Sequence, residues 1–140
     1  DDQGMNINPG SNVYISRKDT QERRVLNEDT VVEVLENHGF ESYRLADYSV
    51  AEQAVLFNGA DLVVGAHGAG FANLIYADNT AVLELFGEKV KPNYANLAET
   101  IGLPYEYMKC QPRGVDLQVD TELLATTIEE LLSKHNEEQE

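Results

Sequence analysis

The chain has 140 residues, 42% of them hydrophobic, which suits one globular domain with a real core and argues against a disordered chain. Its 25 acidic against 10 basic residues give a formal charge of −15, which speaks against nucleic acid or an anionic membrane surface as partner and for a strongly hydrated surface, as in a salt-rich cytoplasm. The single cysteine, Cys110, excludes an internal disulfide and a multi-Cys metal site, and no apolar run approaches the roughly 20 residues of a membrane span.

Position 1 is Asp rather than Met, so an excised domain or a processed chain is expected. Residues 1–12 read as a linker, being rich in Gly, Asn and Pro and lacking hydrophobic periodicity. Val13–Ser16 reads as a short strand. Four of the ten basic residues follow within eight positions, Arg17, Lys18, Arg23 and Arg24, either a solvated loop or a positive patch set against the protein's own field.

Asn27 to His38 has helical spacing, with Val31, Val34, Leu35 and His38 on one face, Asn27 as its cap and Gly39 as its left-handed stop. Ser42 to Leu45 follows as a strand, and Ser49-Val50-Ala51-Glu52 is a capping box opening a helix that ends near Asn58-Gly59. Asp61 to Ala66 is apolar without alternation, as a strand buried on both faces requires. A helix is expected from Gly68 to Ile75, a strand from Ala81 to Phe86, a helix from Asn93 to Ile101 closed by Gly102, and a strand from Tyr105 to Lys109. The last helix spans about Thr121 to Lys134, so the domain covers residues 13–135 and leaves 136–140 as an acidic tail.

Strand and helix alternate throughout, which predicts an α/β fold: a doubly wound, mostly parallel, Rossmann-like sheet of five strands in the order 2-1-3-4-5. Ligands of such sheets bind beyond the carboxyl ends of the strands where the winding reverses, here between the first and third strands. Ser16-Arg17-Lys18 and Ala66-His67-Gly68-Ala69-Gly70 leave those two strands, so the basic cluster and the Gly-rich turn are expected to face one crevice.

The turn is neither a dinucleotide G-x-G-x-x-G nor a Walker loop, and it suits either an anion at a helix start or tight strand–helix packing. His67 is a candidate donor to a phosphate or leaving group, an acid or base, or simply a partner within the turn; it lacks neighbours at metal-ligand spacing, and no metal is expected. Asn73 reaches either back to the turn or forward to a ligand. Glu84 interrupts an otherwise apolar strand, and a buried carboxylate needs a partner, here a ribose diol in the crevice or one of the arginines. A serine hydrolase requires a G-x-S-x-G elbow, and a phosphoacceptor receiver an Asp where Gly65-Ala66-His67 stands; neither is present.

The segments Tyr14-Ile15-Ser16-Arg17, Arg24-Val25-Leu26-Asn27-Glu28, Glu52-Gln53 and Ala60 to Gly70, continuing through Asn73, Val82-Leu83-Glu84-Leu85 and Tyr94 to Tyr105, resemble the carboxyl-terminal half of family 61 glycosyltransferases, of the capsular polysaccharide biosynthesis type. The resemblance covers roughly residues 13 to 107. It implies a GT-B enzyme with the nucleotide-sugar donor, commonly UDP-linked, held by this second Rossmann-like domain. Transfer would be inverting and metal-independent, without a cofactor, in polysaccharide or glycan assembly. By position, Arg17, Lys18, Arg24, Asn27, His67, Gly68, Ala69, Gly70, Asn73 and Glu84 would line the donor site, His67 being the only catalytic candidate. The acceptor glycan and the general base would belong to a further amino-terminal domain, so this chain is expected to bind donor and transfer nothing alone. The alternative is a stand-alone α/β module that binds a nucleotide or a protein.

Overall fold

All five expected strands form, in one parallel sheet: β1 (Ser11–Ile15), β2 (Phe40–Tyr43), β3 (Ala60–Ala66), β4 (Ala81–Phe86) and β5 (Tyr105–Lys109), ordered β2-β1-β3-β4-β5. The computed structural model describes residues 11–16, 24–68 and 70–139, with side chains through 137. Consecutive strands are linked by helical crossovers, as parallel pairing demands: α1 (Glu28–Glu36) after β1, α2 (Val50–Gly59) after β2 and α3 (Asn93–Ile101) after β4. The last helix, α4 (Thr121–Gln139), runs on through what the sequence suggested as a tail, and β1 opens two residues before the expected domain start.

The central strands β3 and β4 are buried on both faces, which is why they carry no alternation of apolar and polar residues. Tyr14, Leu62, Val64, Leu83 and Leu85 pack with Val31 and Leu35 of α1 and Leu124, Ile128 and Leu131 of α4. On the opposite face Val13, Ile15, Val63 and Val82 pack with Leu56 and Phe57 of α2, Phe71 and Leu74, and Ala98 of α3.

Local signals are honoured in α2 and α3. Ser49 Oγ accepts from Glu52 N–H at 3.1 Å while Glu52 Oε1 accepts from Ser49 N–H at 2.8 Å, the reciprocal capping box. Gly102 ends α3 at φ +82°, and Leu103 N–H donates to Ala98 O at 2.8 Å.

Three expectations change. Asn27 stands at the amino end of α1 but makes no side-chain cap. The helix expected over Gly68–Ile75 is a 3-10 helix over Phe71–Tyr76, preceded by Gly70 in the left-handed region at φ +79°. After β5 the chain forms an antiparallel hairpin, β6 (Gln111–Arg113) with β7 (Asp116–Gln118), which no sequence signal suggested. The hairpin packs back on the segment before α1: Leu26 N–H donates to Leu117 O at 2.9 Å and Leu117 N–H to Arg24 O at 3.0 Å.

Candidate anion site at the carboxyl edge of the sheet

His67 is the first residue beyond β3, and its N–H donates to Leu85 O of β4 at 3.0 Å, continuing the sheet by one residue. Its ring lies near Phe86 (centroids 5.3 Å apart, 27° between planes) and Tyr94 of α3 (5.4 Å, 48°). Nδ1 meets Glu84 Oε2 at 2.5 Å, and the other carboxylate oxygen, Oε1, accepts from Tyr105 OH at 2.5 Å. The pleat explains the grouping. Glu84 of β4 pairs in register with Gly65 of β3, so no side chain stands beside it there, and Tyr105 of β5 pairs with Val82, two residues away on the same face.

Glu84 is wholly buried, and its recorded partners are His67 and Tyr105. This corrects the expected opening onto a ribose: the carboxylate is inside the sheet layer, facing neither solvent nor a crevice. Of the arginines considered as its partner, Arg24 is paired with Asp116, and Arg17 and Arg23 lie outside the described residues. Burial, then the hydrogen bond to Glu84, pushes the Tyr105 phenol well above its ordinary range, so Tyr105 acts as a fixed donor.

A cavity of about 290 Å³ lies beside His67, between the loop leaving β4 and the β6–β7 hairpin. Gly87, Glu88, Lys89 and Lys91 line one side and Val115 the other. It therefore opens beyond β4, displaced from the β1–β3 switch point. Lys89 and Lys91 escaped the sequence reading, although the carboxyl-end rule applied to β4 as well as to β1 and β3 would have reached them.

The remaining candidates separate. Arg17, Lys18 and Ala69 lie outside the described residues. Arg24 meets Asp116 through both its backbone N–H (3.0 Å to Oδ1) and its guanidinium (3.3 Å to Oδ2). Asn27 donates to Val119 O at 2.8 Å and accepts from Val119 N–H at 3.0 Å, so both ends of its amide hold the chain after β7 in place of a ligand.

Asn73 takes the structural course. It donates to Gly70 O at 3.1 Å and to Gln53 Oε1 at 3.0 Å, while Gln53 in turn donates to Leu45 O and Tyr48 O. Gly68 and Gly70 both have positive φ, at +87° and +79°. Gly70 N–H is taken by Gly68 O at 2.8 Å, and a Cβ on Gly70 would stand 2.2 Å from Leu45 Cδ1. At Gly70 the glycine serves close packing, and its amide is not presented to an anion as expected.

A second buried carboxylate sits on the other face of the sheet. Glu28 of α1 accepts from Tyr14 OH at 2.7 Å and from Ser16 Oγ at 2.8 Å. Tyr14 lies in β1 and Ser16 one residue beyond it, a grouping that appears only once α1 is laid over that strand.

A model of the Glycosyltransferase 61 family matches residues 3–83. The chain is 31% identical over 99 residues to the EGF domain-specific O-linked N-acetylglucosamine transferase of Mus musculus, covering 66% of this chain and 19% of that protein. The proteins of the same name from Drosophila melanogaster and Gallus gallus are 31% identical over 96 residues and 28% over 99, each covering 66% of this chain and 18% of theirs. The chain spans about a fifth of the length of these curated relatives.

Proposed function

The chain belongs to the glycosyltransferase 61 family, and from that premise we propose that it is the donor-binding domain of a glycosyltransferase, holding the diphosphate of a nucleotide sugar beside His67. The observation that carries this reading is the cavity at the carboxyl edge of β4, where His67, Lys89 and Lys91 gather around about 290 Å³ in a chain of net charge −15. Local cations in a strongly acidic protein favour a small polyanion that fits among them, while the surrounding negative charge repels larger acidic partners.

In this reading the cations stabilise the departing nucleoside diphosphate, the place where negative charge grows as the glycosidic bond to the donor breaks. Such stabilisation suits a metal-independent, inverting transfer. The donor we assign is UDP-linked. The relatives' names specify N-acetylglucosamine and an EGF domain; a sugar of that kind passed to a glycan or protein acceptor is the corresponding reading here. The acceptor and the general base belong to a further domain in a GT-B arrangement, consistent with a chain that spans a fifth of its relatives.

The test is calorimetric titration of the folded chain with UDP, GDP and UMP at low and high salt. UDP is expected to bind saturably, UMP more weakly, and His67→Ala to weaken UDP. A chain with native circular dichroism that binds no UDP overturns the assignment.

A further inference from the structure

The pairing of His67 with a buried carboxylate is more than packing. Glu84 has zero exposure, and its two oxygens are met by two donors from different strands, Nδ1 of His67 and the hydroxyl of Tyr105, each at 2.5 Å. With Glu84 ionised, the carboxylate accepts a hydrogen bond and gives none, which places a proton on Nδ1. The ring stacks on Phe86 and meets Tyr94 in a tilted contact, so it is packed from two sides. The other ring nitrogen, Nε2, has no hydrogen-bond partner among the described residues and is not enclosed, and His67 lines the cavity.

We propose that Glu84 is a positioning residue: braced by Tyr105, it fixes the proton of His67 on Nδ1 and turns Nε2 toward the cavity as the nitrogen that meets the anionic ligand. Nε2 donates to a diphosphate oxygen only when it too carries a proton, a charge for which Glu84 is placed as the buried counter-charge. The groups facing His67 are Glu84 from β4, Tyr105 from β5, Tyr94 from α3, and Glu88, Lys89 and Lys91 around the cavity. Among the described residues only Glu84 is hydrogen-bonded to the ring. This assignment rests on the donor-site reading for the identity of the anion, but the state of the ring does not.

The experiment is nitrogen-15 NMR of the three histidine rings in the ligand-free 140-residue chain, followed by UDP titration. His67 is expected to show a protonated Nδ1, and Nε2 is expected to be the nitrogen that shifts on adding UDP. Glu84→Gln, which keeps the shape and removes the charge, is expected to scramble the ring's proton between the two nitrogens and to weaken UDP binding about tenfold, the lower range for loss of an orienting partner. Tyr105→Phe, which leaves the His67–Glu84 contact, is expected to move the same signals less.

A ligand-free wild-type ring protonated on Nε2 alone overturns the proposal without recourse to any variant. So does a folded Glu84→Gln chain with unchanged ring signals, since Glu84 would then serve stability only. A protonated Nδ1 in a chain that ignores UDP leaves the positioning role standing and removes the donor assignment.

Discussion

Asn27 and Val119 are joined twice, the amide of Asn27 donating to Val119 O at 2.8 Å and accepting from Val119 N–H at 3.0 Å. The two residues are 92 positions apart, and the pair clamps the segment following β7 against the start of α1. With Arg24 on Asp116, it fixes the hairpin that walls the cavity.

Asn27→Ala removes both bonds and leaves the Val119 backbone groups unpaired, so it is expected to cost about 2 kcal/mol in urea denaturation. Because the side chain makes no cap on α1, the helical signal of the folded variant should match the wild type. A loss of helix without loss of stability would contradict the structure.

Gly70→Ala should be the most damaging glycine substitution of three. Its Cβ would stand 2.2 Å from Leu45 Cδ1 in a backbone at φ +79°, whereas Gly39 and Gly102 have equally positive φ but open space around them. About 1 kcal/mol is expected for alanine at Gly39 or Gly102, and about 1–3 kcal/mol more at Gly70 from the forced shift of Leu45. Thermal melts of the three variants check the order.

Replacing Lys89 and Lys91 together with alanine should weaken UDP binding about tenfold and flatten its dependence on salt, because screened cations account for that dependence. Titration of the double variant at two ionic strengths reads both effects. An unchanged salt slope would remove the lysines from the site.

Acid should weaken the Arg24–Asp116 contact. The Arg24 backbone N–H, and then its guanidinium, hold the Asp116 carboxyl below its ordinary value of 3.8. The folded pKa is depressed, so this stabilisation is present above 3.8 and is lost as pH falls through the folded value. Asp116→Asn should therefore show a shallower loss of stability on the acid side.

His38 should act in the opposite sense. The carbonyl of Val34, and then the carboxylate of Glu129, raise its pKa above 6.5. Its contribution is complete below 6.5 and is lost as pH rises through the folded value. His38→Gln should flatten the alkaline side of that window in denaturation measured across the neutral range.

Much of the architecture was legible in the chain because its signals are local. The apolar run 62–66 of β3 reads as a strand buried on both faces, the Ser49–Glu52 box marks one helix start, and Gly102 one helix end. Their spacing dictates right-handed crossovers and hence the strand order. The position of His67 at the end of β3 follows from the same count.

The partners of the site residues were not legible, because each lies across the sheet or at the far end of the chain. Glu84 announced itself as a polar residue in an apolar strand, but its pairing with His67 and Tyr105 was decided by the register of β3, β4 and β5. Asn27 carries the residue type of a helix cap, yet its amide is drawn away by a hairpin 92 residues distant. The sequence by itself determined which segments become strands and helices and which ends of them meet, since those depend on periodicity and capping within a few residues. Only the tertiary structure decided which polar groups satisfy one another, because a buried donor or acceptor takes whichever partner the packed strands bring within reach.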